Sequence, residues 1–236
     1  MKKVLFILII FLAFISNAKA LGLSSIYIDG KSCTNNSSIE TCLSGETYSY
    51  DSENKTLTLN NYNGGRVTVY SKNTTAEDEI TIHLKGENTV TYTGSDIYAF
   101  GSGIPLTITA DENASLTING NYQNSQYISI GLSSDKSLTI EGGTINVNLR
   151  TDFDSDTNLT SVGIAAIEGI IIRGNAKVSV NIDTDYNIVS AVRVGKSSSE
   201  EYTPLHLGPN ASLKINVNAR NKLNAENIYI SSYTTY

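Results

Sequence analysis

The stretches at 106–120 (LTITADENASLTING), 138–149 (LTIEGGTINVNL), 170–182 (IIIRGNAKVSVNI) and 205–217 (LHLGPNASLKINV) are variants of one phrase, with starts 32, 32 and 35 residues apart. Self-similarity at such a period is the mark of a repeat architecture. Within each phrase apolar residues alternate with Thr, Ser, Asn or Lys, as in Leu106, Ile108, Leu116 and Ile118. That alternation is the period of a half-buried strand, and Gly or Asn separates one strand from the next. A third short apolar piece closes each period: Ile128 and Ile130, then Val162 and Ile164, then Val189 and Ala191. Three strands and three bends per period describe one coil of a parallel β-helix. A coil cannot bury its inward residues alone, so it stacks on the same positions of its neighbours roughly 4.8 Å away.

Working toward the N-terminus, RVTVY (66–70) and EITIHLKGENTVTYTG (79–94) bring in earlier coils, with Val67, Val69, Ile80, Ile82, Leu84 and Val90 facing inward. DIYAFGSG (96–103) supplies a third strand with Ile97 and Ala99 inward. Before them, ETYSYDSENKTLTLNN sets Tyr48 and Tyr50 against Leu57 and Leu59 across the turn Asp51-Ser52-Glu53-Asn54, which is hairpin chemistry. SSIYIDG (24–30) reads as a strand with Ile26 and Ile28 on one face. Cys33 and Cys42 lie nine residues apart in a Ser/Asn-rich loop, and a disulfide is the reading that fits an exported chain. The expectation is an all-β fold: a disulfide-tied β cap over 21–56, then a β-helix of about five coils over 57–236.

Residues 1–20, MKKVLFILIIFLAFISNAKA, have the basic start, apolar run and small-residue exit of a secretory signal peptide, with cleavage near Ala20. The chain is then secreted, or periplasmic or at the cell surface, with no membrane span in its mature part. The formal charge of −6 becomes −9 once Lys2, Lys3 and Lys19 leave with the leader. Such a balance disfavours nucleic acid and anionic lipid as partners, and acidic polysaccharide unless a divalent cation mediates.

The runs YDSENKTLTLNNYNGG, DEITIHLKGENTVT, LTITADENASLTI and LTIEGGTINVNL, with VGIAAIEG between coils, resemble a family of bacterial secreted and surface proteins often labelled carbohydrate-binding-domain proteins. The resemblance covers most of residues 45–230. It implies a right-handed, pectate-lyase-like β-helix, export, binding of polysaccharide, and calcium held on acidic loops.

For calcium the densest acidic run is Asp152, Asp154 and Asp156 in RTDFDSDTN, whose alternate carboxylates share one loop as a hard cation requires. Aligning TINVNLRTD with KVSVNIDTD stacks Asp152 over Asp185 and Arg150 over Asp183, and brings Arg220 of the next coil near Asp185. The same column reads first as a solvated ion-pair ladder, with calcium as the alternative. A calcium-dependent lyase would need a basic proton acceptor, for which Arg150, Arg173, Arg193 and Arg220 are the candidates. None is singled out as catalytic, and no pair of carboxylates is placed for glycosidase chemistry.

The chain has fourteen Tyr and no Trp. Tyr98, Tyr127 and Tyr229 belong to third strands of different coils, and Tyr122 and Tyr186 to the loops before them. Outward rings stacked in this way would form a platform for sugar faces, the alternative being ordinary packing between coils. His83 and His206 fall on outward positions. The functional expectation is a non-catalytic binding protein for polysaccharide or a surface glycan. A structural or adhesin-like protein that contacts proteins or itself through its C-terminal coil is the alternative, and a lyase the third.

Overall fold

The computed structural model describes residues 25–34, 39–70, 79–123, 128–152, 160–185, 188–196, 205–219 and 224–232. The leader expected over 1–20 lies outside the described residues. At the N-terminal end, β1 (Ser25–Ile28) and β2 (Lys31–Thr34) form an antiparallel hairpin, followed by the one-turn helix α1 (Ile39–Cys42) and by β3 (Tyr48–Asp51). The chain then runs in strand triplets. These are β4 (Thr56–Asn60), β5 (Asn63–Gly64) and β6 (Val67–Tyr70), then β7 (Ile80–Lys85), β8 (Glu87–Gly94) and β9 (Tyr98–Ser102). Next come β10 (Leu106–Ala110), β11 (Ser115–Gln123) and β12 (Ile128–Ser134), then β13 (Ser137–Glu141), β14 (Thr144–Asp152) and β15 (Thr160–Ala166). The last two triplets are β16 (Gly169–Arg173), β17 (Lys177–Thr184) and β18 (Ile188–Lys196), then β19 (Leu205–Leu207), β20 (Ser212–Ala219) and β21 (Asn224–Ser232).

Strands of one triplet go to three different sheets, so each triplet is one coil. Sheet A has the order β2-β1-β6-β9-β12-β15-β18-β21, sheet B β19-β16-β13-β10-β7-β4-β3, and sheet C β20-β17-β14-β11-β8-β5. Pairing along each sheet is parallel from coil to coil, and antiparallel only where β1 meets β2 and β6 and where β3 meets β4. The protein is thus an all-β parallel solenoid. The β7–β18 triplets are complete, whereas β5 has two residues and β19 three, so there are about four full turns rather than about five. Alternation alone did not reveal that the first and last periods are partial.

Period-2 alternation converts each inward position into a column. Ile80, Leu106, Leu138 and Ile170 stack in sheet B beside Ile82, Ile108, Ile140 and Ile172, and every one is buried. Val90, Ile118, Val147 and Val180 face them from sheet C and are also buried. Burying one such side chain contributes roughly 1.5–3 kcal/mol relative to exposure, so the columns supply the driving force for stacking. Tight bends join sheet B to sheet C, and in one of them Gly142 and Gly143 adopt φ of 85° and 73°, which an L side chain resists.

Sheet A departs from simple alternation. Ile97 is 43% exposed, contrary to the inward placement expected of it, while Ala99 and Phe100 are both buried. Along this sheet Ala99, Gly131, Gly163 and Ala191 lie level with one another and are passed over in the strand pairing. The strands bend at these small residues, so two consecutive positions, such as Gly131 and Leu132, both meet the core. The sheets approach closely here: a Cβ on Gly163 would sit 2.2 Å from Val180 Cγ1 and 2.5 Å from the Ala191 carbonyl oxygen. The same bend sets the stacking as Leu132, Ile164 and Val192, so Val192 rather than Ala191 lies on Ile164.

The cap closes the first coil. Ile26 and Ile28 of β1 pair with Val69 and Val67 of β6, and Tyr50 and Tyr48 of β3 pair with Leu57 and Leu59 of β4. The Cys33–Cys42 disulfide ties β2 to α1. Such a bond fits an oxidising compartment outside the cytosol. Among the described residues, no helix is long and apolar enough to cross a membrane. Asn88 occupies an inward position of sheet C where the next coils have Leu116 and Ile145. It is 1% exposed and fully engaged: its Oδ1 accepts from Tyr62 N at 2.9 Å, and its Nδ2 donates to Ser115 O at 3.0 Å and Lys85 O at 3.1 Å. A buried amide so satisfied pins the first coil to the next two.

Two substitutions test this packing by chemical denaturation. Gly163→Ala forces a methyl group against backbone and should destabilise the fold by about 1–3 kcal/mol. Asn88→Ala leaves the Tyr62 N–H without its acceptor and should cost about 1–3 kcal/mol. An unchanged denaturation midpoint in either variant contradicts the close approach or the pin.

Candidate functional site

The outward positions of sheet C form the most regular polar surface of the described residues. Alternation that turns Leu116, Ile118 and Gly120 inward on β11 turns Thr117, Asn119 and Asn121 outward. Successive strands present Thr89, Thr91 and Thr93, then Thr117, Asn119 and Asn121, then Asn146, Asn148 and Arg150, then Ser179, Asn181 and Asp183, then Lys214, Asn216 and Asn218. Neighbouring strands lie about 4.8 Å apart and alternate residues about 6.7 Å apart, so the surface is a rectangular grid.

The central column is an asparagine ladder. Asn148 Nδ2 donates to Asn119 Oδ1 at 2.9 Å, Asn181 Nδ2 to Asn148 Oδ1 at 2.9 Å, and Asn216 Nδ2 to Asn181 Oδ1 at 2.6 Å. All the donors point toward the N-terminal coil, so the amide dipoles add along the axis. Each inner member spends one N–H and one lone pair on its neighbours, leaving one of each for a ligand. Beside the ladder Arg150 stands opposite Asp183, as the alignment of coils predicts, and Asn218 Nδ2 donates to Asp183 Oδ1 at 3.0 Å. A shallow groove of about 480 Å³ follows these columns, lined by Asn148, Asn181, Asp183, Asn216 and Asn218 among others.

The tyrosines do not assemble as a platform on this face. Tyr122 is fully buried; its hydroxyl donates to the Ile130 carbonyl and its ring lies 5.4 Å from that of Tyr92. Burial pushes its phenol well above the ordinary tyrosine range. The reason is parity: β11 extends for nine residues, and Tyr122 shares its inward face with Leu116 and Ile118. Tyr98 is half-buried, its ring base against Gly101 and its hydroxyl bonded to the Asp135 carboxyl. Loss of solvent raises the Asp135 pKa, against the lowering effect of Tyr98 and of Lys136. Tyr229 falls in β21, opposite Arg193 of β18. Tyr127 and Tyr186 lie outside the described residues.

Of the acidic positions, Asp152 ends β14 and Asp185 follows β17, with Asp185 N donating to Thr151 O at 3.3 Å. The two therefore sit at one level of adjacent coils. Asp154, Asp156 and Arg220 lie outside the described residues. Among the described residues no group of three or more His, Cys, Asp or Glu side chains converges as a metal site would require. Arg173 is paired with Glu141 of the neighbouring sheet B strand, a ladder partner rather than a poised base. His83 faces outward with Nδ1 at 3.0 Å from Thr109 Oγ1 and Nε2 at 3.1 Å from Asp111 Oδ1, and His206 is exposed.

Sequence reasoning stacked Arg150 on Asp183 but passed over the ladder beside it. The signal lay in the repeat itself: ING (118–120), VNL (147–149), VNI (180–182) and INV (215–217) place an Asn at the same point of four successive phrases. Comparison with protein-family models, with curated proteins and with solved structures finds no match for the chain.

The inward assignment of Tyr122 has a direct test. Tyr122→Phe removes one buried hydrogen bond and should lower stability by about 1 kcal/mol in a urea titration. No change would mean that the hydroxyl is solvated and the ring outward.

Proposed function

We propose that the protein is a non-catalytic binding protein for a neutral polysaccharide or surface glycan, which lies along the solenoid axis on the outer face of sheet C. The observation that carries this reading is the asparagine ladder with its flanking rows of hydroxyl and amide groups. Sugars offer hydroxyls that both donate and accept, and a regular row of spare amide N–H and C=O groups matches that chemistry. A chain of sugar residues is itself repetitive, so many weak contacts can add in one register. The formal charge of −6 for the whole sequence works against acidic polymers and favours uncharged ones.

In this reading calcium is an accessory that contributes stability rather than contact with sugar, and its candidate ligands are Asp152, Asp154, Asp156 and Asp185. The Cys33–Cys42 disulfide and the leader expected over residues 1–20 agree with a role outside the cell.

A glycan array with and without calcium, followed by affinity electrophoresis on the polymer that binds, tests both parts. Asn148→Ala with Asn181→Ala should weaken retention by at least tenfold, since several hydrogen bonds are lost together, while Thr107→Ala with Thr139→Ala on sheet B should leave it unchanged. Equal retention by the ladder variant and the wild type rules out this face. Calcium should raise the melting temperature of the wild type and not that of the Asp152→Asn, Asp154→Asn variant; no rise in the wild type removes the metal.

A further inference from the structure

The two ends of the solenoid differ. At the N-terminal end the antiparallel strands β1, β2 and β3 cover the first coil. At the other end β20 is the last strand of sheet C and β19 the last of sheet B, and among the described residues nothing pairs with their outer edges. The inward row of β20 registers this opening. Val178, Val180 and Ile182 on β17 are 2%, 0% and 2% exposed, whereas Leu213, Ile215 and Val217, stacked on them, are only half-buried. An eight-residue edge strand with alternating apolar residues carries one device that protects edges from pairing, the single charge of Lys214, and has neither a Pro nor an inward-pointing charge.

We infer that β20 pairs antiparallel with β20 of a second copy of this chain, in a register centred on Ile215. The segment is self-complementary in that register and in few others. Ile215 meets Ile215 of the second copy, Leu213 meets its Val217, and the apolar row continues across the joint. On the outer face Lys214 stands opposite Asn216 of the second copy, and the twofold axis repeats the contact. That contact is complementary in charge. Asn216 ends the asparagine ladder with its Nδ2 donated to Asn181, and its Oδ1 accepts nothing among the described residues. The carbonyl end of an aligned amide row is its negative end, and Lys214, exposed and without an ion-pair partner among the described residues, supplies the cation. The interface uses one patch on both copies, so it closes at two and builds no fibre; the capped end offers no matching edge for head-to-tail growth. The joint would run the sheet C faces of the two copies into one another.

Sedimentation and light scattering of the full chain without glycan give the mass directly, so this test is separate from that of sugar binding. The wild type should have twice the chain mass, and Lys214→Glu, an exposed change that faces a carbonyl oxygen with a carboxylate, should shift the protein to the monomer with an unchanged circular dichroism spectrum. Register is read independently by mild oxidation, since the native cysteines are paired with each other. Ile215→Cys should form a covalent dimer, and Leu213→Cys, which would face Val217, should not. A wild-type monomer at high concentration overturns the inference. So does a dimer that Lys214→Glu leaves intact and Ile215→Cys fails to trap.

Discussion

In-register parallel stacking is the constraint on which everything else in this protein depends. Because every coil repeats the direction of the one below, a residue is never packed against an arbitrary neighbour but against its own counterpart. Leu106 lies on Leu138, and Ile108 on Ile140. Volume must therefore be matched column by column, and the columns tolerate no slip, since a shift of one residue turns every apolar side chain outward. Length variation is expelled to the corners. Ser115, Thr144, Lys177 and Ser212 share one column and Ile128, Thr160, Ile188 and Asn224 another, yet 13, 16, 11 and 12 residues separate them.

The same constraint acts on the outside. Any polar residue repeated at one point of the phrase becomes a ladder, and the product depends on the side chain. Threonines at 56, 81, 107 and 139 give a column of hydroxyls and methyls on sheet B, whereas Glu141 over Arg173 gives an ion pair. Asparagine is distinctive because its amide both donates and accepts, so a column of four can link itself and still have capacity for a ligand. A surface pair or single hydrogen bond contributes little to stability. In the proposed reading the ladder is a spaced set of recognition groups that the strands hold in place.

Stacking also makes the ends special, because the first and last coils have a partner on one side only. The chain treats the two ends differently. The N-terminal end has strands of opposite direction, a disulfide and the Asn88 pin, which together replace the missing coil. The described C-terminal end is left as paired backbone on one side and open backbone on the other, and a solenoid edge of that kind extends if a compatible strand is supplied.

How much was legible in the sequence follows from which features are periodic. The 32-residue phrase, the alternation of Leu106, Ile108, Leu116 and Ile118, the hairpin of Tyr48 and Tyr50 against Leu57 and Leu59, and the Cys33–Cys42 pairing could be read directly, since each is a local pattern or a repeat of one. The stacking of Arg150 on Asp183 followed from alignment of coils. What only the tertiary structure decided lies where periodicity breaks or where opposing sheets meet. Ile97 faces outward because sheet A bends at a column of small residues set by the approach of sheet C, and Tyr122 is interior because β11 runs through what reads locally as a loop. Alternation settles which residues share a face; only packing against the other two sheets settles which face is inside when the strand bends, and how far each strand extends.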